Sequence, residues 1–161
     1  MLQHSTFKWY ANKGQEWVER KIELKSCKFV EKYNEKVLKN LEPGVLYHPA
    51  NPKFAAFDMM WVQQNDSGQR EYFCILVTFA EKFEQKRSVY MRLYTNLGMK
   101  EEDRITIYIV TNPQYAKSYA MKTKEEFFYP VLEPEDKEFQ NLEFAVLRAK
   151  NFEKGSWLQI D

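Results

Sequence analysis

The sequence predicts one α/β domain, a mixed central sheet flanked by helices, and three of its features carry that prediction. Two stretches place apolar residues four apart, as an amphipathic helix requires. Two others are strand-length runs of β-branched and aromatic residues, the first of them apolar on both faces, as in the middle of a covered sheet. The elements follow one another as helix, strand, strand, strand, helix, strand, an order that suits a sheet crossed by helices rather than a bundle or a sandwich. With 161 residues, the chain suits one domain, 1–161, and can bury a core without disulfide staples.

The first helix is expected from about Gln15 to Leu41. Val18 and Ile22 lie four apart, as do Phe29, Tyr33, Val37 and Leu41, and Trp17, Val30 and Leu38 widen the stripe. The stripe slips near Ser26-Cys27, which predicts a bend or break, and Pro43-Gly44 ends the helix. A short apolar piece, Val45-Leu46-Tyr47, follows. Pro49 and Pro52 then oppose regular structure, because each fixes φ and removes a donor. Phe54 to Gln63 reads as a strand with Asp58 in its middle. Asn65-Asp66-Ser67-Gly68 is turn chemistry, so Glu71 to Ala80 is the returning arm of a hairpin.

Helical spacing resumes from Glu84 to Leu97, through Val89, Leu93 and Leu97, and Gly98 is placed to close that helix. Ile105 to Val110 is a β-branched strand. Asn112-Pro113 reads as a cap followed by proline at the first helical position, opening a helix to about Lys122. Phe127-Phe128-Tyr129 fits a strand or a packed loop, Leu142 to Leu147 a last strand, and Trp157 suggests that the tail docks.

Composition narrows the function classes. Apolar residues at 44% and charged residues at 29% exclude a disordered chain. A formal net charge of +1 excludes a strongly basic nucleic-acid binder, so nucleic-acid contact has to come from a local patch. Cys27 and Cys74 are the only cysteines, and the expectation is two buried free thiols in a reducing compartment, with a single disulfide as the lesser alternative. With His4 and His48 they make no metal-site spacing. Met1 to Phe7 lacks the apolar run of a signal peptide, and no stretch approaches the roughly 18 apolar residues of a membrane helix. The chain is therefore expected inside the cell, nuclear or cytoplasmic, with no membrane partner.

Asp58 is the residue out of place. It stands in Phe54-Ala55-Ala56-Phe57-Asp58-Met59-Met60-Trp61-Val62, otherwise apolar, where a mid-strand carboxylate is disfavoured by propensity and by burial. Two readings stay open: a metal-binding or base carboxylate at the sheet surface, or an exposed, locally hydrogen-bonded aspartate at a strand end or bulge.

The element order and the local runs resemble the restriction-endonuclease-like core of Crinkler and retrotransposon-hot-spot proteins. The matching pieces are Asn51-Pro52 leading to Phe57-Asp58-Met59-Met60, then Leu76-Val77-Thr78-Phe79, Ala80-Glu81-Lys82-Phe83 and Ile107 to Pro113. Gly14-Gln15-Glu16-Trp17 is similar to the start of that family's first helix. The resemblance spans about Gly14 to Pro113. It implies phosphodiester hydrolysis at a divalent ion such as Mg2+, which lowers the pKa of its water and neutralises the phosphate. It also implies an acid and a lysine two apart on the strand facing Asp58, so that both share one face. Leu76 and Thr78 occupy those two positions, and neither ligates a cation.

The resemblance therefore implies a degenerate nuclease scaffold. Asp58 and Lys82 are its remaining catalytic-type residues, and Glu19 or Glu16 the candidate further metal ligands. A nucleic-acid contact would use Lys82, Lys86, Arg87 and Arg92, with Lys117, Lys122 and Lys124 as a smaller group. The competing reading of both groups is a solvated helix face, since Glu81, Glu84 and Glu101 intermix. Tyr90, Tyr94, Tyr108, Tyr115 and Tyr119 are either stacking residues or core. One alternative is a protein-interaction module with no nucleic-acid role. The other is an active Mg2+-dependent DNA endonuclease with migrated residues: Asp58 with Glu19 as ligands and Lys82 as the cation.

Overall fold

The structure is a computed structural model and describes residues 5–13, 16–24, 26–30, 35–51, 56–133 and 135–148. Ten strands and three α-helices are assigned among them. In chain order they are β1 (Ser5–Lys13), β2 (Glu16–Leu24), β3 (Ser26–Val30), α1 (Glu35–Lys39), β4 (Val45–Pro49), β5 (Met59–Gln64), β6 (Arg70–Thr78), β7 (Gln85–Lys86), α2 (Arg87–Leu97), β8 (Arg104–Thr111), α3 (Pro113–Ala120), β9 (Phe128–Tyr129) and β10 (Leu142–Arg148). Eight strands form one mixed sheet in the order β2-β1-β10-β8-β6-β5-β4-β3, and β7 and β9 form a small separate pair.

After three sheet strands, the main-sheet strands and helices run α–β–β–β–α–β through α1, β4, β5, β6, α2 and β8, and continue with α3 and β10. The β5–β6 hairpin holds the antiparallel register Met59↔Ile75 to Gln64↔Arg70, closed by a turn in which Gly68 adopts φ 84°, a region that favours glycine. β6, β8 and β10 are mutually parallel, and β3 is parallel to β4. The connections through α1, α2 and α3 all step the same way across the sheet, between strands of the same direction. Crossovers of one hand then leave their helices on one face. Accordingly Leu38 of α1, Tyr90, Leu93 and Leu97 of α2 and Tyr119 of α3 share a single cluster with Met60, Cys74, Leu76, Ile107 and Ile109.

The described residues packed on the other face all come from strands: Leu46, Trp61, Phe73, Ile75, Tyr108, Ala145 and Leu147. Trp61 stacks on Phe73 at 5.2 Å, and Phe73 on Tyr108 at 6.3 Å, a cross-strand ladder worth about 0.5–1.5 kcal/mol per pair beyond the area it buries. Two buried faces explain why β6 and β8 read as unbroken apolar runs.

The expected helix from Gln15 to Leu41 is replaced by β2, β3 and the five-residue α1. A spacing of four is also an even spacing, which puts residues on one side of a strand as readily as on one side of a helix. Pairing with β1 from Ser5↔Leu24 to Lys13↔Glu16 decides between them. β4 runs on to Pro49 at its end, and β5 starts at Met59, so Asp58 lies in a bend just before the strand rather than within it. Phe54 and Trp157 lie outside the described residues. Both cysteines are free thiols: Cys74 is buried, Cys27 half-buried, and burial pushes the Cys74 thiol far above its ordinary pKa.

Candidate functional site

The corner at Asp58 is built from the start of β5 and the end of β6. Asp58 is exposed. Its backbone N–H donates to the Ile75 carbonyl at 2.8 Å, and its carboxylate accepts from the Val77 N–H at 2.7 Å. The side chain thus supplies the acceptor that the ladder loses where β5 begins, a local side-chain-to-backbone bond of the kind aspartate favours at strand ends. Leu76 is 7% exposed and belongs to the helix-side core. The Thr78 hydroxyl accepts from the Ala80 N–H at 3.3 Å. The Tyr119 hydroxyl donates to the Ala80 carbonyl at 2.7 Å, and the Lys122 ammonium to the Phe83 carbonyl at 3.4 Å. The last two bonds tie the bend that carries the exposed Lys82 to α3 and to the turn after it.

Glu16 and Glu19 lie elsewhere. They are exposed on β2, at one edge of the sheet, while Asp58 precedes β5. Five strand steps separate β2 from β5, which at ~4.8 Å each is on the order of 20 Å. The expected sharing of one ion between Asp58 and Glu19 or Glu16 therefore does not hold. Among the described residues no three His, Cys, Asp or Glu side chains gather as metal ligands do. A carboxylate already holding a backbone N–H, beside a buried leucine and a threonine, does not fit Mg2+, which resists dehydration and needs carboxylate oxygens to replace its waters.

One further acid escaped the sequence reading. Asp103 is 3% exposed, and its carboxylate accepts from the Arg70 N–H at 3.0 Å and the Lys100 N–H at 2.9 Å. It fastens the start of β6 to the turn before β8, so a buried carboxylate here is satisfied structure rather than chemistry.

The basic residues divide. Arg87, the first residue of α2, ion-pairs with Asp136, and its guanidinium lies 5.8 Å from the centroid of the Phe139 ring. It serves as a clamp, although the sequence places it among the nucleic-acid contacts. Lys124 donates to the Phe139 carbonyl at 2.8 Å, and the Lys122 ammonium sits 5.3 Å from the Phe127 ring centroid, so both are occupied in packing. Lys82, Lys86, Arg92 and Lys117 are exposed. Of the five tyrosines weighed from sequence, Tyr90, Tyr108 and Tyr119 are buried, and Tyr94 and Tyr115 pack against the core.

A shallow groove of about 400 Å³, largely open to solvent, lies at the start of α2, lined by Lys86, Arg87, Ser88, Met91, Tyr129 and Pro130. β7 and β9 position it: Gln85 pairs with Phe128 and Lys86 with Tyr129 in parallel register. Gln85 and Phe128 are buried, while Lys86 is exposed and Tyr129 is 68% exposed. Register partners in a parallel pair point to the same side, about 4.8 Å apart. A lysine and an open aromatic ring therefore stand side by side on the rim. The first turn of α2 carries no acidic residue. Tyr129 went unsingled in the sequence because its only signal is a two-residue alternation at the end of an aromatic run.

Compared with protein-family models, curated proteins and solved structures, the chain matches none. Among the described residues no helix is long and apolar enough to cross a membrane.

Proposed function

We propose that this chain is a nuclease-like scaffold without phosphodiesterase chemistry, whose role is to hold nucleic acid at the start of α2 through two lysines that alternate with the exposed Glu81 and Glu84. The exposure of Lys82 and Lys86, where β6 hands over to α2, carries the reading. Cations so placed neutralise phosphates and release condensed counterions. The α–β–β–β–α–β order supports kinship with the restriction-endonuclease-like domains of Crinkler and retrotransposon-hot-spot proteins. The bond between Asp58 and the Val77 N–H supports the loss of chemistry. This role goes with an intracellular location, nuclear or cytoplasmic.

A salt titration tests it. Affinity for a labelled DNA should fall linearly in log–log form as salt rises, with a slope of about −2 if two lysines each neutralise one phosphate. Absence of binding at low salt would reject the reading. It would favour a protein-interaction module, a second reading supported by Val77 and Phe79, which are 40% and 59% exposed at the end of β6.

A further inference from the structure

We infer that the groove beside α2 is a single-nucleotide clamp for single-stranded nucleic acid, with a base stacked on Tyr129 and its phosphate on Lys86. The inference rests on the nucleic-acid reading above and names the form of ligand and the residue that selects it. Three observations carry it. Tyr129 is 68% exposed although Phe127 and Phe128, the two residues before it, are 2% and 1% exposed. Its register partner is Lys86, so cation and ring face the same way at strand spacing. Both border a shallow depression of about 400 Å³, largely open to solvent, whose other lining residues are Arg87, Ser88, Met91 and Pro130.

Each part suits a different piece of one nucleotide. An open ring offers a π-face that any base accepts, which makes stacking tolerant of sequence. Met91 and Pro130 supply apolar wall. Lys86 supplies the charge and Ser88 a hydroxyl donor for phosphate oxygens. The Arg87 charge is matched by Asp136, and its contribution is to hold the wall. Duplex bases are already stacked on one another and present no free face, so the ring selects a single strand. Tyr129 is thereby a specificity-determining residue, and Lys86 an affinity residue.

The experiment uses the full chain and fluorescence anisotropy with labelled oligo-dT, oligo-U and a short duplex at low salt. The proteins are wild type, Tyr129→Ala, Tyr129→Phe and Lys86→Gln, each matched for thermal midpoint. Tyr129→Ala should weaken single-strand binding roughly tenfold and Tyr129→Phe should restore it, because the ring and not the hydroxyl stacks. Duplex binding should change less than about twofold in both. Lys86→Gln should reduce the single-strand salt slope by about 0.7. Single-strand affinity that survives Tyr129→Ala overturns the clamp while leaving the basic-face reading intact. Absence of binding to all three probes overturns both.

Discussion

The Asp58 corner and the rim at Lys86 both draw on charged residues that the sequence singles out, and the fold uses them differently. At the corner the carboxylate is occupied by a backbone N–H of the neighbouring strand, and the positions facing it hold Leu76 and Thr78. At the rim one cation, Arg87, is matched by Asp136, while the next, Lys86, stands exposed beside an open tyrosine ring. What a charged residue can do is thus decided by what its neighbours already supply.

That contrast can be broken at four places, in falling order of expected effect. Tyr90 sits under the rim, 1% exposed, with Phe139 and Phe128 at 4.6 Å and 5.6 Å. Tyr90→Ala should lower unfolding free energy by about 4 kcal/mol in urea, as for other large aromatic truncations in a core. Arg87→Met leaves Asp136, with a side chain only 11% exposed, without its cation. About 2 kcal/mol is expected, below the cost in a fully dry pair because Arg87 is itself partly in water. Asp58→Ala removes one acceptor from an exposed N–H and should cost about 1 kcal/mol; a larger loss would give the corner a weight this structure does not assign it. Lys82→Gln should change stability by less than about 0.5 kcal/mol and lower the DNA salt slope by nearly one. A slope unmoved by that change would remove Lys82 from the interface.

Much of the fold was legible. β6 and β8 are apolar on both faces because both are covered, and the Asn65–Gly68 turn fixes their neighbour β5. Gly98 ends α2 at φ 64°, and Asn112 caps α3 by accepting the Gln114 N–H at 3.2 Å. The first quarter was not legible, because β2 and β3 are specified by partners, β1 and β4, that local periodicity cannot register. The candidate site divides the same way. Exposure of Lys82 and Lys86 follows from polar residues on a helix approach. The distance between Glu19 and Asp58, the pairing of Arg87 with Asp136 across 49 residues, and the openness of Tyr129 all depend on tertiary neighbours. Asp58 did break the local pattern, and the break marks a strand end.

The loss of phosphodiesterase chemistry is read by incubating plasmid DNA with Mg2+ or Mn2+, wild type beside Asp58→Ala. Neither protein should convert supercoiled plasmid to nicked or linear forms. Cleavage by the wild type that disappears with Asp58→Ala would contradict it.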